Sequence, residues 1–119
     1  MMDQMYDRVP PHNNEAEQSV IGAIFLQPEA LITASEVLRP DDFYRTAHEK
    51  IFDTMLILSD KGQAIDVVTV TEELSAKKEL EDVGGISYLT EVANAVPTAA
   101  NIEYYAKIVE EKSILRRLI

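Results

Sequence analysis

The sequence predicts an all-α domain. Glycine and proline are sparse, at 4 and 5 of 119 residues, while Ala, Leu, Glu and Ile, which suit helices, are frequent. Apolar residues recur every three to four positions along most of the chain, the period of a helix face. Start and stop signals divide that pattern into about six segments.

Residues 1–13 read as an N-terminal arm, extended at Pro10-Pro11, where proline excludes a helix interior. Asn13 and Asn14 suit N-caps, and Asn14 with Glu17 resembles a capping box. A first helix follows from about Glu15 to Gln27. Ala16, Val20, Ala23 and Ile24 share one face, and Ile21, Phe25 and Leu26 widen it, which predicts a central, buried helix. Pro28 suits the first turn of a second helix, which carries Leu31, Ile32, Val37 and Leu38 and stops at Arg39-Pro40.

Asp41 or Asp42 caps a third helix from about Phe43 to Asp60, closed by Lys61-Gly62. Phe43, Ala47, Ile51, Met55 and Leu58 form its apolar stripe. The run Ala64-Ile65-Asp66-Val67-Val68-Thr69-Val70-Thr71 is β-branched and by propensity a strand. A lone strand has no partner elsewhere in the sequence. Asp66 or Thr69 caps a helix instead, Thr69 with Glu72 making a capping box, so a fourth helix is expected from about Val67 to Lys78. Gly84-Gly85 breaks the chain. A fifth helix runs from about Ile86 to Asn94, with Ile86, Leu89 and Ala93 inward, and Val96-Pro97 ends it. Thr98 caps the last helix, of whose adjacent tyrosines, Tyr104 and Tyr105, one must face outward. Residues 14–97 thus form a globular bundle, and 98–119 a further helical segment. The chain stops at Ile119 on an unfinished amphipathic face, from which a fragment of a longer protein is expected.

The chain has no cysteine, which excludes disulfides, thiol catalysis and Cys-type zinc sites. It contains no apolar run near the ~20 residues of a membrane span. The first seven residues lack the basic and apolar regions of a signal peptide. The formal net charge is −10. Such a surface repels phosphate backbones, so direct nucleic-acid binding is disfavoured. A basic protein partner fits that charge, and so does solubility alone.

Little points to catalysis. There is no P-loop, because Gly84-Gly85 lacks a following Lys-Ser/Thr, and no nucleophile elbow. His12 lies on the arm with no visible partner. His48, beside Glu49, reads as a solvated or core-edge histidine and not as a ligand. The acidic pairs Asp41-Asp42, Glu72-Glu73, Glu81-Asp82 and Glu110-Glu111 read as caps and solvated faces. Glu15 and Glu17 suit the first turn of a helix, where the dipole favours acids. Tyr88 is either an interface anchor or a core tyrosine with its hydroxyl in water. No catalytic, cofactor or metal residue is assigned.

Several segments, in order, carry a resemblance. They are Arg8-Val9-Pro10-Pro11 followed by Glu15-Ala16-Glu17-Gln18-Ser19-Val20-Ile21-Gly22-Ala23, then Asp42-Phe43-Tyr44-Arg45 with Ala47-His48 and Ile51-Phe52. After them come Asp66-Val67-Val68-Thr69-Val70, Gly84-Gly85-Ile86-Ser87-Tyr88-Leu89, Val96-Pro97-Thr98-Ala99-Ala100-Asn101 and Tyr104-Tyr105-Ala106-Lys107-Ile108-Val109. Together they resemble the N-terminal domain of the DnaB-family bacterial replicative helicases, especially Bacillus-like ones. The resemblance implies an orthogonal helical bundle whose last helix is the first arm of a truncated helical hairpin. It implies a collar of such domains, built from dimers into a hexameric ring, that docks the C-terminal domain of primase in the bacterial cytoplasm, at the replisome. ATP and Mg would belong to a motor domain absent from this chain, which is itself expected to be no enzyme. Glu15, Tyr88 and Ile119 are the positions that match primase-contacting residues. Two alternatives stay open: a purely structural oligomerisation domain, or an unrelated acidic helical interaction module.

Overall fold

A computed structural model describes residues 9–119. Its order is α1 (Asn14–Leu26), α2 (Ala30–Val37), a 3-10 turn (Pro40–Asp42), α3 (Thr46–Asp60), α4 (Val67–Ala76), a second 3-10 turn (Glu81–Val83), α5 (Gly85–Ala93) and α6 (Ile102–Arg117). There is no strand among the described residues, and the all-α expectation holds. The expected arm lies partly outside them, at residues 1–8.

Helix α1 is the axis of the bundle. It packs against α2, α3, α5 and α6, and α3 adds α4 and both 3-10 turns. Val20, Ile21, Ala23 and Ile24 are wholly buried, as the broad apolar face requires. Each large side chain among them contributes roughly 1.5–3 kcal/mol by leaving water. One continuous core joins them to Leu38, Phe52, Met55, Leu74, Leu89 and Val109. Gly22 lets α5 approach α1: a Cβ there would lie 2.7 Å from the Val92 carbonyl oxygen.

The ambiguous run at 64–71 is helical from Val67. The reciprocal cap is Asp66 with Thr69, and not Thr69 with Glu72: the Asp66 carboxylate accepts from Thr69 N at 2.8 Å, and Thr69 Oγ1 accepts from Asp66 N at 2.9 Å. Those bonds, and burial of Val70 and Leu74, outweigh β propensity.

Tertiary contacts moved other boundaries. The cap of α1 is Asn13, whose side chain accepts from Ala16 N at 2.9 Å; the Asn14–Glu17 box does not form, because Glu17 turns into the core. Helix α3 begins at Thr46 and not at Phe43, because Phe43 and Arg45 have extended backbones with a bend at Tyr44. Asp42 caps the preceding 3-10 turn, accepting from Arg39 N at 2.7 Å. Pro28 and Glu29 form a turn before α2. Thr98 accepts from Ala100 N and leaves Asn101 as the cap of α6, with no side-chain bond. In α5 the inward residues are Leu89 and Val92, whereas Ile86 is 55% exposed. Tyr104 faces outward, while Tyr105 is half-buried against the core.

Candidate protein-docking site

Two of the three singled-out residues meet on one surface. Glu15 is exposed in the first turn of α1, and Gln18 lies one turn further along the same face. Both line a groove of about 640 Å³ between α1, α5 and α6, whose walls include Glu91, Val96, Tyr104 and Tyr105. Its charged lining residues are Glu15 and Glu91, with no cation among them. Glu91 also borders the neighbouring concavity that holds Tyr88, and the Gln18 amide donates to the Tyr88 hydroxyl at 3.1 Å. Glu15, Gln18, Tyr88 and Glu91 thus form a continuous strip.

Tyr88 is half-buried on α5 and packs against the core, and its hydroxyl meets protein groups instead of reaching only water. Its ring edges a cavity, and its hydroxyl is held from inside. Gly84 makes room for it. Gly84 has a left-handed backbone (φ 102°), and a Cβ there would lie 2.8 Å from the Cβ of Tyr88. Gly84 is therefore a positioning device as well as part of the break.

Beneath Tyr88 lies a polar cluster that sequence reasoning missed. His48 is wholly buried, which corrects the expectation of a solvated or core-edge histidine. Its Nδ1 lies 2.8 Å from Glu17 Oε1, and its Nε2 lies 2.6 Å from the Tyr88 hydroxyl. Glu17 is 1% exposed. Its carboxylate also accepts from Tyr44 N at 2.7 Å and Arg45 N at 3.3 Å. These two donors belong to the segment before α3, so Glu17, in the first turn of α1 as expected, adds a tertiary role. A signal was present in the pattern. Glu17 falls one turn before Val20 and Ile21, and His48 one turn before Ile51 and Phe52, so each sits on a core-facing stripe.

Ile119 stands apart, 85% exposed at the far end of α6 with Leu118, Ile114 and Leu115 also exposed. That end is tied down by Arg116, which donates to Pro11 O at 2.8 Å and Asp42 O at 2.6 Å and lies over the Tyr44 ring. Tyr44 stacks on His12, with ring centroids 4.1 Å apart, so His12 has partners after all. Among the described residues no three His, Cys, Asp or Glu side chains converge as metal ligands. No described helix is long and apolar enough to cross a membrane.

Residues 9–111 match the family described as the DnaB-like helicase N terminal domain. The chain belongs to that family. As a DnaB N-terminal domain it is 70% identical, over all 119 residues, to the replicative DNA helicase DnaC of Bacillus subtilis. It is 61% identical over the same length to the replicative DNA helicase DnaB of Geobacillus stearothermophilus. It spans 26% of the length of each. Among solved structures it is similar to the N-terminal domain of DnaB helicase from Mycobacterium tuberculosis, with a TM-score of 0.90 and 47% identity. That match covers 92% of this chain and 76% of the other. A structure of a DnaB-like replicative helicase and its interactions with primase matches with a TM-score of 0.76 and 32% identity, covering 88% of this chain and 25% of that one.

Proposed function

We propose that this DnaB N-terminal domain is the docking module of a replicative helicase, receiving the C-terminal domain of primase on the strip formed by Glu15, Gln18, Tyr88 and Glu91. The observation that carries this reading is the juxtaposition of Glu15 and Tyr88, 73 residues apart in sequence, on adjoining concavities that share Glu91. The likeness to a helicase described with its primase interactions supports it. A groove with apolar walls and carboxylate rims suits a partner that offers an apolar anchor flanked by cations. Tethering primase to a moving ring raises its effective concentration at the exposed template.

On this reading the chemistry belongs to the rest of the helicase, where a motor would use ATP and Mg to unwind DNA at the bacterial replisome. The test is a titration of the chain with the cognate primase C-terminal domain. Tyr88→Ala should weaken binding by about 2 kcal/mol or more, as for an interface hot spot. A folded Tyr88→Ala variant that binds as tightly as the parent removes the role.

A second role, assembly of the hexameric collar, is favoured by one specific observation. Ile114, Leu115, Leu118 and Ile119 expose an apolar face at the end of α6. Residues 14–97 would be the bundle, and 98–119 the first arm of a hairpin that covers this face. Sedimentation of this chain beside a longer one carrying the second arm tests it. Equal oligomeric states in the two would exclude it.

A further inference from the structure

The buried chain Glu17–His48–Tyr88 reaches the docking strip from inside, and docking by itself leaves His48 without a task. Hydrogen-bond chemistry gives each link a direction. The Glu17 carboxylate accepts the backbone N–H groups of Tyr44 and Arg45. It is an acceptor toward His48 too, so Nδ1 at 2.8 Å is the donor. In the neutral ring Nε2 is then an acceptor, and it takes the Tyr88 O–H at 2.6 Å. Gln18 Nε2 donates to the same phenol oxygen at 3.1 Å. With the imidazole neutral, the Tyr88 proton is thus spent inward, and any further bond its oxygen makes is as an acceptor.

We propose that His48 is a positioning residue for Tyr88: held by Glu17 in its Nδ1–H tautomer, it captures the phenolic proton and locks the ring at the groove edge. A docked group that reaches this hydroxyl would then have to be a donor, a cationic side chain or a backbone N–H. This inference rests on the docking function proposed above. The geometry supports it in two further ways. The imidazole and phenol rings stack with planes 25° apart and centroids 5.9 Å apart, so the ring is held by packing as well as by its hydroxyl. The concavity that holds Tyr88 is lined by Glu81, Asp82 and Glu91 against one cation, Arg45, and the adjoining groove by Glu15 and Glu91, so the excess of carboxylates favours the same class of donor.

The experiment combines ¹⁵N spectra of His48 with primase titrations of Tyr88→Ala, His48→Asn, His48→Gln and the double variant His48→Asn/Tyr88→Ala. Asparagine can reproduce the Nδ1–H donor toward Glu17 but not the acceptor toward Tyr88. Glutamine can place its carbonyl near the lost Nε2. The expected spectrum has a protonated Nδ1 and an unprotonated Nε2. His48→Asn should weaken binding by about tenfold on the Tyr88 background and not at all on Tyr88→Ala, since coupled residues are non-additive. His48→Gln should recover most of that loss, although both variants lower the melting temperature. A protonated Nε2, or equal affinities for His48→Asn and the parent while Tyr88→Ala is weak, overturns the role of His48 alone. Parent-like affinity of Tyr88→Ala overturns the docking function, and the role of His48 with it.

Discussion

Asp42, in the 3-10 turn, accepts a hydrogen bond at 2.7 Å from the hydroxyl of Ser113, near the end of α6. The same carboxylate accepts from Arg39 N and Arg117 Nη2, so one buried side chain caps a turn and fastens the last helix. Asp42→Ala should cost about 2 kcal/mol or more, because it leaves the buried Ser113 hydroxyl and the Arg39 N–H without their acceptor. Ser113→Ala should cost about 1 kcal/mol. Arg117 is largely exposed, so Arg117→Ala should change stability little. Urea unfolding of the three variants checks the order, and an Asp42→Ala variant as stable as Arg117→Ala would contradict it.

Gly22 governs the approach of α5 to α1. Gly22→Ala places a methyl group against the backbone oxygen of Val92 and near the Ala95 side chain, neither of which can swing aside. The expected loss is about 1–3 kcal/mol, the usual cost of overpacking. The same shift would move α5, and Tyr88 with it. Thermal melts and the intensity of the Tyr88 ring signals should change together.

Glu15 and Tyr88 should separate binding from folding. Glu15 is exposed and makes no tertiary bond, so Glu15→Ala should stay within about 0.5 kcal/mol of the parent while weakening primase binding. Tyr88→Phe keeps the ring but leaves the buried His48 Nε2 without its donor, at a cost of about 1–3 kcal/mol. Melts run beside titrations distinguish the two. A large stability loss for Glu15→Ala would assign it to the helix start instead.

Asp66 caps α4 in a run that otherwise favours a strand. Asp66→Ala should lower stability by about 1 kcal/mol. Far-ultraviolet circular dichroism should register any fraying of Val67–Ala76 before the global transition.

Lys50 links α3 to the second 3-10 turn. Its ammonium donates to Asp82 at 2.9 Å, and that hydrogen bond, with the charges of Asp82 and Glu79, raises its pKa above the ordinary 10.5. A raised folded-state pKa stabilises the fold below 10.5, and the gain fades as pH climbs through the folded value. Solvent screens the pair, so Lys50→Met should have a small effect at neutral pH and none at strongly alkaline pH. Melts at neutral and alkaline pH test the sign.

The helical character, the buried axis of α1 and the outward turn of one tyrosine in the Tyr104-Tyr105 pair were legible in the sequence, because a 3.6-residue period records which side of a helix faces the core. The ordered motifs also carried the family. The core-facing stripes on which Glu17 and His48 sit were also legible, but tertiary structure alone decided where α3 starts and which partners Glu17 and His48 find. Those outcomes depend on hydrogen bonds between residues 27 to 40 positions apart, and no local pattern encodes a bond across that distance. A glutamate one turn into a helix looks the same whether its carboxylate meets water or a histidine. Only the packing of α1 against α3 supplies the partner, and with it the buried support for Tyr88.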